Sequence, residues 1–356
     1  MKRLGLSVAA LACCTPAFAH DAHTEPRAYD HAPIGVMSDH LHKKGEFMLS
    51  ARYMRMEMEG TRIGTNSVTP EQIVTTIPNQ FAGQPMQPPT LRVVPTEMPM
   101  DMYMLGAMYA PTNNVTLMVM TMYGERSMDH ITFQGGMGTT RLGTFSTKSP
   151  DFGDTKVAAL VQLYDNVAHK VHLNAGLSVP TGSITDEGTL LTPMGGTQTV
   201  RLPYQMQLGS GTWDLEPGVT YVGHEGNWNW GAQARATIRL GDNSSAYSLG
   251  DRFEATSWLA YGLTDSFSVS TRLKAATQGT IDGQDPRIVA PVQTAQTNFQ
   301  GGDRLDILFG ANYLFKDGAL KGNRLAVEAG CPVTQNLNGP HLETDFTLTV
   351  GWQIAF

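Results

Sequence analysis

Long apolar runs are almost absent from this 356-residue chain. Leu4 to Ala12 is apolar, but it is well short of the ~18–20 residues that a membrane-spanning helix needs, and no later stretch does better. With the basic Met1-Lys-Arg before it and Ala17-Phe-Ala19 after it, the run predicts a secretory signal peptide cut after Ala19. A lipoprotein site at Cys13 or Cys14 is the alternative, with flanks that fit poorly. Cysteine is equally scarce. Of three, two leave with the leader, so Cys331 remains and an intrachain disulfide is excluded. Charge is sparse at 16%, and removing Lys2 and Arg3 leaves 23 basic against 32 acidic residues, a mature charge of about −9. That balance disfavours nucleic acid as a partner. Catalytic signatures are missing too: there is no G-x-S-x-G elbow, no H-E-x-x-H and no phosphate-binding glycine loop. A secreted chain without a helical span can still cross a membrane, but only as a closed barrel.

What is present fits that route. In the last eleven residues, Phe346, Leu348, Val350, Trp352, Ile354 and Phe356 alternate with Thr347, Thr349, Gly351, Gln353 and Ala355. This is a strand with one apolar and one small polar face. A terminal Phe after such alternation resembles the C-terminal signal of bacterial outer-membrane barrels, which implies the barrel-assembly machinery as a partner of Phe356. The same period-2 pattern recurs at about 45–60, 98–110, 115–125, 156–163, 171–179, 213–221, 228–239, 252–261, 267–274, 305–315 and 325–331, with Trp258 out of pattern. Twelve strands is an even count, and long connections follow odd strands while short ones follow even strands. Aromatics gather toward strand ends on the apolar face, as interfacial girdles do. The expected fold is all-β: a twelve-stranded antiparallel transmembrane barrel over 45–356, preceded by a polar, His-containing periplasmic segment over 20–44, with both termini periplasmic. The expected location is the outer membrane of a Gram-negative bacterium, with its lipid as a partner.

Methionine is unevenly placed. None of the 19 lies after Met206, and twelve fall in the first three strands, all with lumen parity. Met54, Met56, Met100, Met102, Met104, Met118, Met120 and Met122 form a candidate wall. Without a bulge at Pro111-Thr-Asn-Asn114, Met104 would face Met120 and Met102 would face Met122. The opposite wall is charged, with Arg235, Arg252, Glu254 and Arg272 as candidate solute contacts beside Asp214, Glu216, Arg239, Lys274, Asp306, Glu328 and Asp345. Three uses of the thioethers stay open: packing, an adaptable track for an apolar or aromatic solute, and soft-metal contact with Cu(I) or silver. Asp39-His40-Leu-His42 and Met128-Asp-His130 are candidate metal donors, although zinc-type spacing is absent. His172, Asn174 and Ser178 share a lumen face, but three residues of one strand at spacings of two and four cannot reach one reacting atom. The chain is expected to be no enzyme and to need no cofactor.

The stretches Pro33 to Met48, Met54-Arg-Met-Glu-Met58, Met104 to Pro111, Leu177-Ser-Val-Pro-Thr-Gly-Ser183 and Leu208-Gly-Ser-Gly-Thr-Trp-Asp214 resemble a bacterial transporter family named for the meta-pathway of phenol degradation. That family is distantly related to the fatty-acid transporter barrels. The resemblance implies a barrel for a small hydrophobic solute and carries over no individual residue roles. It favours the solute track over soft-metal contact, while a soft-metal transport barrel and a structural barrel without transport stay open as alternatives.

Overall fold

The computed structural model describes residues 26–166 and 168–356. The leader, its cleavage site, His20 and His23 lie outside the described residues. Eleven strands close into one antiparallel ring: β1 (Phe47–Gly64), β2 (Met100–Thr112), β3 (Val115–Phe133), β4 (Thr155–Asp165), β5 (His169–Val179), β6 (Asp214–Glu225), β7 (Trp228–Arg239), β8 (Arg252–Gly262), β9 (Phe267–Gln278), β10 (Gly302–Leu314) and β11 (Asn323–Ala355). The last strand pairs with β10 along its first part and with β1 along its second, which closes the ring. It doubles back near Asn338-Gly-Pro340. Asn323 accepts from the Trp352 indole at 2.7 Å, Arg324 bonds Gln353, and the Gln335 amide bonds the Thr344 backbone twice. The chain therefore crosses the wall twelve times, as the alternation implies.

Burial is inverted relative to a water-soluble sandwich. Leu105 and Phe309 face outward, each 61% exposed, whereas the inward Thr116 and Asn312 are 0% and 1% exposed. An apolar exterior is stable only against an apolar solvent, so the pattern calls for lipid outside the ring. The links between β2 and β3, β4 and β5, β6 and β7, β8 and β9, and β10 and β11 are short and lie at one end. At that same end Phe47 and Phe356 exchange backbone hydrogen bonds of 2.9 Å, so the ring's first and last residues meet there.

At the other end the long connections carry structure of their own. Beyond the apolar belt, β3 continues to Phe133 and the chain returns as a strand over Arg141–Phe152. The sequence pattern reads that return as loop, because Glu125, Arg126, Asp129 and His130 interrupt the apolar alternation once lipid no longer selects it. A helix over Pro70–Thr76 starts with Pro70 at its first turn and a reciprocal capping box between Thr69 and Gln72. Its Ile73 and Val74 bury against Leu91, Val94, Ile131 and Phe133. A second core joins Phe81, Val93, Tyr204, Tyr247, Ile288 and Val292. The buried Arg92 guanidinium donates to the carbonyls of Gln134, Gly135 and Gly138 and pins the β3 tip.

Candidate functional site

The methionines of β1, β2 and β3 face inward, and register sets them in rungs. Met56 lies opposite Met100, Met54 opposite Met102, Met104 opposite Met122, and Met108 between Met48 and Met118. Met120 lies opposite Gly106 and Met102 opposite Gly124. The pairing across the hairpin is thus two residues away from the expected one, because the turn is tighter than Pro111-Thr-Asn-Asn114: Thr112 already pairs with Val115, and one register irregularity follows between Thr112 and Tyr109. Arg52 also enters the wall, opposite Met104.

A segment from the long connection after β5 lies over the upper rungs. Leu202 and Met206 pack with Met58, Met98, Met100, Met102, Met128 and Leu342, against Met54, Met56 and Met122. Leu208 takes the space beside Gly124 that a Cβ would need. Arg126 holds the segment by donating to the carbonyls of Gln205 at 2.6 Å and Gln207 at 2.9 Å, and its Nε lies 3.2 Å from the Met100 sulfur. Gln205 in turn bonds His341.

Above this segment is a cavity of about 810 Å³, among the loops and partly open. Its walls are mostly apolar: Pro89, Val93, Phe145, Leu190, Pro193, Met194, Val200, Val289, Pro291 and Val292, with Leu202 and Pro203 below. His130, Arg201 and Arg287 supply polar edges. The His130 ring stacks flat on Phe145, centroids 4.5 Å apart, and Arg201 pairs with buried Asp285 at 3.0 Å. This size and lining suit a small organic ligand. Leu202 belongs both to the cavity and to the methionine cluster, so the two compartments share one side chain. Another depression of similar size lies on the ring's outer face, among Leu173, Val219, Ala234, Phe253 and Ala255, and it is part of the apolar belt.

The facing wall is a ladder of ion pairs. Glu216 bonds Lys156 and lies 3.5 Å from Arg235; Asp214 bonds Arg239; Arg252 meets Glu254 at 3.0 Å; Lys274 lies between Glu254 and Asp306; and Arg304 meets Asp306 at 3.0 Å. Arg272 forms a bidentate, buried pair with Glu328 at 2.8 and 2.7 Å. Arg235 is thus tied to Glu216 and Arg252 to Glu254, and Arg272 is buried in its own pair with Glu328.

Residues 26–44 fill the short-turn end of the ring. Tyr29, Ile34 and Val36 are at most 2% exposed. Hydrogen bonds reach the segment from around the wall: Thr116 accepts from His42 N, His172 bonds the Ser38 carbonyl, and Gln233, Ser268 and Arg324 donate to the carbonyls of Met37, Ala28 and Ala32. Leu41 packs with the lower methionines Met48, Met108 and Met118. Trp258, the residue out of pattern in β8, points inward onto Ala32 and Val36. Its anomaly in the strand period was the one sequence signal of this contact. Two glycines permit close approach. A Cβ at Gly262 would fall 2.0 Å from the Tyr29 ring, and one at Gly35 would fall 2.1 Å from Glu328 Oε2.

The histidine candidates separate. His40 and His42 lie in this segment, beside His31 and Asp39. Met128 and His130 lie at the loop end, where Met128 is packed in the methionine cluster and Asp129 turns away to Ser146. Burial pushes His42 down to about 4, with His40 adding to the effect. Burial, then Arg324, holds His31 well below its ordinary value. Burial opposes ionisation of Asp39, but His40, His31 and Arg324 together keep the carboxyl well below the usual range.

Ring closure, an apolar exterior and one end of short turns define the fold of a transmembrane β-barrel. No family model and no curated protein matches the chain. Among solved structures it is similar to the COG4313 outer membrane channel from Pseudomonas putida F1, with a TM-score of 0.57 and 15% identity over 90% of this chain and 98% of that one. The P. putida toluene transporter TodX gives 0.44 and 11% over 89% and 91%. A FadL homologue of Pseudomonas aeruginosa gives 0.42 and 10% over 87% and 90%. Of these three, the first carries the comparison, and at its identity the likeness is one of fold.

Proposed function

We propose that the chain is an outer-membrane transport barrel, of the phenol meta-pathway type that its motifs resemble, for a small apolar or aromatic solute. In this reading the leader is removed after Ala19, and Phe356 serves barrel assembly. The solute enters the loop cavity, passes Leu202 onto the methionine wall, and leaves when residues 26–44 move aside as a periplasmic plug. The observation that carries it is the shared Leu202, which joins an apolar cavity of about 810 Å³ to the thioether cluster. Thioethers suit such a solute because they are flexible and make favourable contacts with aromatic rings. Cu(I) passage fits less well, since the Arg52 and Arg126 guanidiniums are set into the same wall.

Isothermal titration of the refolded barrel in detergent with phenol-like aromatics, and separately with Cu(I), tests this. Changing Met100, Met102, Met104, Met118, Met120 and Met122 to Leu keeps bulk and apolarity, so aromatic binding should persist, whereas the corresponding Ser variant should lose it. Cu(I) binding that disappears in the Leu variant, with no aromatic binding in the parent, would overturn the proposal in favour of a metal barrel.

A further inference from the structure

The histidines of the N-terminal segment are not needed for the passage of an apolar solute, and their arrangement has a chemistry of its own. The His31 and His40 rings lie 4.9 Å apart and those of His40 and His42 4.8 Å apart, each pair near edge-to-face. His31 Nδ1, His40 Nε2 and His42 Nε2 are all buried and without a hydrogen-bond partner among the described residues. Three orphaned ring nitrogens in one buried cluster are costly unless something occupies the space between them.

The other ring nitrogens are engaged in a telling way. His40 Nδ1 lies 2.9 Å from Asp39 Oδ1, and His42 Nδ1 lies 3.5 Å from Glu46 Oε2. A carboxylate on Nδ1 fixes the proton there and leaves the Nε2 lone pair free, which is the arrangement that orients metal-ligating histidines. Asp39 is itself anchored, because its second oxygen accepts from the Ala32 N–H at 3.0 Å. One donor atom each from His31, Asp39 and His40 already lies within 4.8 Å of the others, and the His42 ring adjoins that of His40, centroids 4.8 Å apart. Bonds of ~2.0–2.1 Å to an ion shared by His31 and His40 would require side-chain shifts on the order of 1 Å, with His42 closing on it from beside His40.

We propose that His31, His40 and His42 form a divalent transition-metal site that clasps the N-terminal segment into its compact turn. Imidazole donors backed by carboxylates suit Zn²⁺, Cu²⁺ or Ni²⁺, and they discriminate against Ca²⁺ and Mg²⁺, which take oxygen. Two cations border the cluster, Arg324 beside His31 and Arg52 near Asp39, and the Asp39 and Glu46 carboxylates offset them. The ion is a resident clasp and not a cargo, since it ties residue 31 to residues 40 and 42 within a single segment. The site lies in the segment that the solute reading treats as a plug, but it is argued from the histidines alone and survives if that reading fails.

The test is titration of the refolded, chelator-dialysed mature chain with ZnCl₂, together with the EPR spectrum of the Cu²⁺-loaded protein. One Zn²⁺ per chain is expected, with nitrogen couplings from at least two imidazoles on Cu²⁺. His31→Gln with His40→Gln should weaken Zn²⁺ binding at least ~100-fold, and Asp39→Asn by ~10–100-fold. His20→Gln with His23→Gln should leave it unchanged. Heat-modifiable gel migration reports whether each variant has folded. No saturable binding, or binding that follows His20 and His23, overturns the proposal. If the double variant fails to fold, the Cu²⁺ spectrum decides alone, and fewer than two coordinated imidazoles refutes the site.

Discussion

Replacing Gly35 with valine puts the plug in direct competition with the wall. An ideal Cβ there falls 2.1 Å from Glu328 Oε2 and 2.3 Å from Arg272 Nη2, so something must move by more than an ångström. One route breaks the Arg272–Glu328 pair, whose side chains are 6% and 0% exposed and joined by two bonds. Disrupting a buried pair of this kind costs roughly 3–5 kcal/mol. The other route lifts residues 32–36 and gives up part of the packing of Ile34, and of Ala32 and Val36 against Trp258. Partial loss of those contacts costs about 2–3 kcal/mol. The cheaper route is the plug, so Gly35→Val should raise the displaced population by roughly 30–150-fold, at ~1.4 kcal/mol per tenfold. Single-channel conductance in planar bilayers should rise, and trypsin should cut faster at Lys43 and Lys44. Unchanged conductance and cleavage in a variant that still migrates as a folded barrel would refute both the packing argument and the plug reading.

Acid should act on the same segment in the chelator-treated, metal-free chain. His42 is held at about 4 and His31 also lies low, against an ordinary 6.5, so both favour the neutral, docked state. Their contribution is complete above pH ~6.5 and is lost as pH falls toward 4, at about 1.4 kcal/mol per pH unit for each group. The facing groups are His40, Asp39, Glu46 and Arg324, and Asp39, being lowered, loses its contribution only below this window. Protease accessibility of residues 26–44 should therefore increase between pH 6.5 and 5, and a His31→Gln/His42→Gln variant should flatten the profile; a steep profile in that variant would exclude these histidines. Arg126→Ala removes both bonds to the Gln205 and Gln207 carbonyls, each worth ~1.5–3 kcal/mol for a charged donor. Solute flux should rise and hydrogen exchange at Leu202 and Met206 should accelerate; exchange unchanged by the substitution would show that packing alone holds the segment.

The barrel was legible because lipid imposes one rule on every crossing. Tyr103, Leu105 and Tyr109 must face outward, so Met102, Met104 and Met108 face inward, and the parity assigned from the sequence is the parity observed. Register was less legible, because Pro111 and Thr112 read as turn residues although Thr112 pairs with Val115, and that tighter turn, with one irregularity beyond it, moves every rung. Beyond the membrane the rule lapses, which hid the return strand Arg141–Phe152 and the far part of β11. The loop cavity was hidden for a stronger reason: Pro89, Phe145, Leu190, Val200 and Val292 come from distant segments and share no spacing. The plug left one mark, the inward Trp258, which reads in sequence only as an error of period.

The two inner walls differ for a reason that bears on how a solute could move. An apolar molecule gains nothing from a charged surface, but a continuous apolar lumen would trap it. Here the charges opposite the methionines are already paired, Glu254 with Arg252 and Lys274, Asp306 with Lys274 and Arg304. Paired charges hold water without needing a ligand, so a solute that leaves the thioethers meets a hydrated wall and not a second adhesive one. In the proposed transport reading, binding on one side would admit the solute without retaining it, which is the condition for conduction through any selective pore. Arg272 and Glu328, beneath Gly35, form the driest of these pairs, with side chains 6% and 0% exposed, so the wall there presents a fixed surface to the chain itself.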